Sequence, residues 1–106
     1  MTYSKEQAQD FISMMNTLGD LSRIGMKYDQ VSHWTIIAQR RLMEDVVKLA
    51  KEMGLTRRTF TCCIGSEDHD AMEKIAGEGF AFNDPAYDFA IDIATYFSPR
   101  DREEDV

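Results

Sequence analysis

The residues best equipped for chemistry in this chain fall close together: Cys62, Cys63, Ser66, His69, Asp70 and Glu73. A Cys63 thiolate with His69 as its base would make an activated nucleophile. Adjacent cysteines in an extended segment point to opposite faces, however, and a separation of six residues imposes no hydrogen bond between the two groups. Ser66, His69 and Asp70 supply the residue types of a hydrolytic triad, but no nucleophile-elbow pattern surrounds the serine. His69 and Glu73 stand one helical turn apart and, with Asp70, are candidates to share a cation. The set has no CxxC, no HExxH and no calcium-loop spacing. The plainer expectation is a solvated helix face for His69, Asp70 and Glu73, and a small buried hydrophobe for at least one cysteine. The sequence thus leads us to expect no enzyme activity, no cofactor and no metal.

Two further motifs point the same way. Gly77-Glu78-Gly79-Phe80 lacks the glycine pattern and the lysine of a phosphate loop, and it puts a carboxylate where phosphate would sit. Cys62 and Cys63 have Cα atoms about 3.8 Å apart across a trans peptide, shorter than an ordinary disulfide spans. They are expected to be reduced, which fits a cytoplasmic protein. His33, beside Trp34, is expected at a helix start or an interface.

The elements that must position these residues are mostly helical. Ser4-Lys5-Glu6-Gln7 fits a capping box, and Ala8, Phe11, Ile12, Met15 and Leu18 then recur at three- and four-residue spacing. Gly19 ends or weakens that helix, Asp20–Ile24 supplies at most a further turn, and Gly25–Asp29 reads as a connection. A second helix is expected over Ser32–Met53, closed by Gly54 in a left-handed cap with Leu55 making the accompanying contact. Its apolar arc comprises Ala38, Leu42, Met43, Val46, Val47, Leu49, Ala50 and Met53. Trp34 and Ile37 fall on the polar side and break the pattern, so they are expected to meet another helix or another subunit.

Thr59–Ile64 is rich in β-formers but has no partner strand, and reads as an extended connector or a short hairpin arm. Ser66 caps a third helix to about Ala76, with Glu67 and Asp68 in its first turn. Residues 84–97 are expected to form a last helix behind the Asp84-Pro85 start, although Asp88–Ile93 also alternates with the period of a strand. The fold class is mainly α, a compact bundle of three to five helices with at most one short β element around 59–64. Residues 1–99 make the single domain, and 100–106 a flexible charged tail.

At 106 residues, roughly two-thirds of the unfolded chain's surface can be buried on folding. The 43% hydrophobic content and the dispersed aromatic residues suit such a core. No apolar run approaches the length of a membrane span, and the N-terminal residues lead into a polar helix rather than a signal-peptide apolar region. Charge is divided unevenly. Residues 1–58 carry nine Lys/Arg against seven Asp/Glu, whereas 59–106 carry three against twelve. That acidity argues against direct nucleic-acid binding, which needs a basic face.

Surface recognition remains. Glu67, Asp68, Asp70, Glu73, Asp88 and Asp92, together with Trp34 and Ile37, are the candidate partner contacts. The expected function is a non-enzymatic inhibitor or adaptor docking on a basic surface of a nucleic-acid-handling protein. By analogy of size and charge, phage anti-defence inhibitors are such proteins. The alternative is a homo-oligomeric structural or regulatory protein that buries Trp34 and Ile37 between copies. A small enzyme or metal protein ranks third.

Overall fold

A computed structural model describes residues 3–27, 33–56 and 67–83, together with Phe60 and Ile93. The described residues form three helices, α1 (Lys5–Lys27), α2 (His33–Glu52) and α3 (Glu67–Ala76).

α1 starts in the capping box that its sequence announces. The Ser4 amide donates to Gln7 Oε1 at 2.9 Å, and the Gln7 amide donates to Ser4 Oγ at 3.1 Å. Two of the amides that a helix start leaves without intrahelical partners are satisfied reciprocally. The expected stripe of Ala8, Phe11, Ile12, Met15 and Leu18 is buried along its length. The helix does not stop at Gly19. It runs on through Gly25 to Lys27, which corrects the expected turn and connection. A mid-helix glycine costs only about 1 kcal/mol relative to alanine, and Gly19 is itself buried.

α2 ends as its sequence predicts. Gly54 has φ of 79°, its amide donates to Lys51 O at 3.1 Å, and the Leu55 amide donates to Ala50 O at 2.9 Å. This pair of bonds is the Schellman closure, and the half-buried Leu55 side chain packs against the core beside it. Met43, Val46, Val47, Ala50 and Met53 are buried and Leu42 and Leu49 half-buried, but Ala38 is exposed. Ala38 lies at the edge of the expected arc, about 40° from Trp34 on the wheel, and its exposure corrects the expected place.

α3 closes at Gly77, where φ is 94° and the amide donates to Glu73 O at 3.1 Å. The 77–83 segment is tied back onto α1. Gln9 Nε2 donates to Ala76 O, Asn16 Nδ2 donates to Ala81 O, and the Asn83 amide donates to Asn16 Oδ1, each at 2.9 Å.

Phe11 anchors the core, with the Phe60 ring 5.9 Å away and the Phe82 ring edge-on at 6.1 Å. Phe60 is helical and buried, so the extended reading fails at that residue. Burial of the ring against Phe11 outweighs the β-propensity of its neighbours. Among the described residues there is no strand. Residues 59 and 61–66, and the expected 84–97 helix apart from a buried, helical Ile93, lie outside the described residues.

The core occupies one end of the α1–α2 pair. Among the described side chains, the last buried position in α1 is Gly19 and the first in α2 is Met43. The described side chains of residues 20–24 and 34–41 are exposed or half-buried and extend beyond it. Five residues join the two helices, limiting the gap between Lys27 and His33 to about 20 Å. Both extensions consequently belong to the same end of the molecule.

Candidate functional site

The residues with the strongest chemical potential are not brought together. His69 is buried, with its ring 5.0 Å from that of Phe82, which corrects the expectation of a solvated face. Its helical neighbour Asp70 is exposed. Glu73 turns instead to the 77–83 segment, where its Oε2 accepts the Phe82 amide at 3.0 Å. Three residues that the sequence allows to converge thus have three different surroundings: aromatic interior, solvent and backbone. Among the described residues no group of three or more His, Cys, Asp or Glu side chains is placed to hold a metal ion. Cys62, Cys63 and Ser66 lie outside the described residues.

Four of the candidate acidic contacts lie on α3. Glu67 and Asp68 begin α3, Asp70 is exposed two positions beyond them, and Glu73 is half-buried in its backbone bond. Asp88 and Asp92 lie outside the described residues. Further exposed carboxylates are Glu6 and Asp10 on α1, and Glu78 after Gly77, beside which the Lys5 side chain runs.

The opposite end of the molecule carries the apolar surface. The exposed large hydrophobic residues are Ile24 at 50%, Trp34 at 76%, Ile36 at 40% and Ile37 at 36% of their full accessibility. All four sit on the extensions of α1 and α2 beyond the core. Trp34 is therefore not buried within its own chain. The exposure of Ile24 and Ile36 has no signal in the sequence, because a wheel reports which side of a helix a residue takes and not where the opposing core ends.

At 100° per residue, Met43, Val46, Val47, Ala50 and Met53 define the buried arc of α2. Trp34, Ile37 and Arg41 fall within an arc of about 60° almost diametrically opposite it. Ile37, Arg40, Arg41 and Glu44 line a shallow groove of about 270 Å³ on that outer side. Their spacing is i, i+3, i+4, i+7, the four-residue hole that accepts a side chain from a facing helix in knobs-into-holes packing.

No family model, curated protein or solved structure matches this chain. Its function has to be argued from this surface. No described helix is long and apolar enough to cross a membrane, so the exposed isoleucines and tryptophan belong to amphipathic helices with charged neighbours. On the outer side of α2, exposed Trp34 and Ile37 stand with Arg40, Arg41 and Glu44, an aromatic residue with arginine around it, which is a composition enriched in protein contacts; Ile36 lies on the other side of the helix.

Proposed function

We propose that this chain is a non-enzymatic protein-binding module that acts by presenting two unlike surfaces. Exposure of Trp34 on the outer side of α2, opposite the core, is the observation that carries the reading. Tryptophan is among the residues that most often dominate a binding interface, since its large rigid ring loses little entropy when covered. Leaving it in water forgoes a stabilisation of a few kcal/mol that burial of such a side chain provides.

The second surface is acidic. Exposed Glu6, Asp10, Asp70 and Glu78 lie on α1, α3 and the segment after α3, outnumbering exposed Lys5 and Lys74 of the same elements, and the whole chain has a net charge of −7. A field of that sign accelerates encounter with basic surfaces and repels acidic ones. Proteins that handle nucleic acids carry basic faces for phosphate, which makes an inhibitor or adaptor of such a protein the role that this charge favours.

The test uses the full chain as bait in three forms: wild type, Trp34→Ala, and Asp70→Lys/Glu78→Lys. Partner capture reduced by the charge reversal, and salt-sensitive in the wild type, is the expected result for the acidic surface. Weakened association of Trp34→Ala is the expected result for the apolar one. If neither variant alters any association of the folded protein, in number of copies or in captured partner, the reading is wrong.

A further inference from the structure

The outer side of α2 carries both halves of one contact. The hole formed by Ile37, Arg40, Arg41 and Glu44 is centred between positions 40 and 41. Trp34, the exposed knob, stands one turn before it on the same side. Trp34 cannot readily fill this hole itself, because side chains on a helix lean toward its N-terminus and the hole lies toward the C-terminus. We infer that the outer side of α2 is a self-complementary seam, in which Trp34 of each of two copies enters the Ile37/Arg40/Arg41/Glu44 hole of the other. This rests on the reading of that side as a contact surface, and it names the occupant.

Three observations select a second copy. The first is position. When two α2 helices run antiparallel about a two-fold axis, pairing position 34 with the hole centre places the axis at Ile37. Each Ile37 then packs against its counterpart, and both tryptophans are accommodated by one operation. The interface is isologous and closed. A foreign helix would have to match knob and hole independently.

The second is size and chemistry. An apolar cavity of ~150 Å³ admits a benzene ring, so an open groove of about 270 Å³ has room for an indole. Two guanidinium groups line it, and arginine over the indole face is a favourable cation–π arrangement. Glu44 supplies a carboxylate able to accept the indole N–H.

The third is charge. With a net charge of −7, two copies repel over most approaches. The exposed ionic residues at the hole are Arg40 and Arg41 against Glu44, so the seam itself carries no acidic excess. A seam a few turns long falls below the area of about 1,200 Å² found in stable complexes, and the dimer is correspondingly weak and concentration-dependent.

Trp34 is the single tryptophan of the chain, so its fluorescence reports on the surroundings of this one residue. Sedimentation of the full chain from micromolar to millimolar concentration is expected to show monomer passing to dimer, with a blue shift of emission over the same range. Trp34→Ala should abolish the dimer and retain the helical circular dichroism. Ile37→Lys and Ile37→Glu should each be monomeric, because like charges then meet at the axis, and mixing the two should restore a dimer. A monomer at every concentration overturns the proposal, as does a dimer indifferent to Trp34→Ala or a mixture that stays monomeric. Should the emission of Trp34 shift only when a different protein is added, the second copy is overturned while the contact surface stands. If it shifts with neither, both are overturned.

Discussion

Glu73 and Phe82 are joined by a bond from the Phe82 amide to Glu73 Oε2 at 3.0 Å, which makes the carboxylate part of the frame that holds the 77–83 segment. The Phe82 ring lies against both Phe11 and His69, so the bond positions an aromatic side chain at the α1–α3 junction. Removing the acceptor leaves a half-buried amide without its bond, at a cost of about 1–3 kcal/mol. Glu73→Ala is therefore expected to lower the melting temperature by several degrees. Glu73→Gln, which keeps an acceptor oxygen, should recover most of the loss in a thermal melt. Equal melting of wild type and Glu73→Ala would show that the bond contributes nothing.

The closure of α2 gives a second prediction. Gly54 occupies the left-handed region at φ 79°, where a side chain is strained. Gly54→Ala is expected to destabilise the protein by about 1–2 kcal/mol, seen as a lower denaturation midpoint with an unchanged slope. Ser4→Ala, which removes one half of the capping box, should cost about 1 kcal/mol. Both variants should retain the helical spectrum.

How much of the fold is legible in the sequence follows from the range of each interaction. The capping box at Ser4 and Gln7 and the glycine closure at Gly54 are short-range events, fixed by residues within a turn or two, and both have the structure that their sequence predicts. The α1 stripe is legible because a long helix against one core shows its period plainly. Gly19 misleads because propensity is a small penalty that burial overrides. Phe60 misleads for a related reason, since its helical state accompanies a ring contact with Phe11, distant in sequence. His69 looks solvent-facing among its acidic neighbours, whereas it is buried beside Phe82, thirteen residues on. At the candidate surface, Trp34 and Ile37 are visible as violations of the α2 pattern. Ile24 and Ile36 are not, because their exposure depends on where the core stops.

Trp34 and Phe11 offer a contrast in aromatic roles. Phe11 is fully buried at the centre of the core, and Phe11→Ala is expected to cost about 3–5 kcal/mol. Trp34→Ala in the dilute monomer should change stability by no more than about 0.5 kcal/mol, as for other surface substitutions. Urea denaturation of both variants at low protein concentration checks the pair. A loss above about 2 kcal/mol for Trp34→Ala would assign the indole to the fold and remove the main support for a contact surface.

The acidic surface yields the last prediction, and its readout is kinetic. Exposed charges act through solvent and are screened beyond about 8 Å at physiological ionic strength, so their main effect is on how fast partners meet. Asp70 and Glu78 are exposed, and no hydrogen bond involving either side chain is found among the described residues, in contrast to Glu73. Asp70→Lys/Glu78→Lys should therefore leave the melting temperature nearly unchanged. Association with a basic partner should slow at low salt, and the difference from wild type should fade as salt rises, with dissociation little altered. Surface plasmon resonance across a salt series separates the two rates. An unchanged association rate at every salt concentration would mean that these carboxylates keep the protein in solution without directing it to a partner. A change confined to dissociation would instead place Asp70 or Glu78 inside the contact itself.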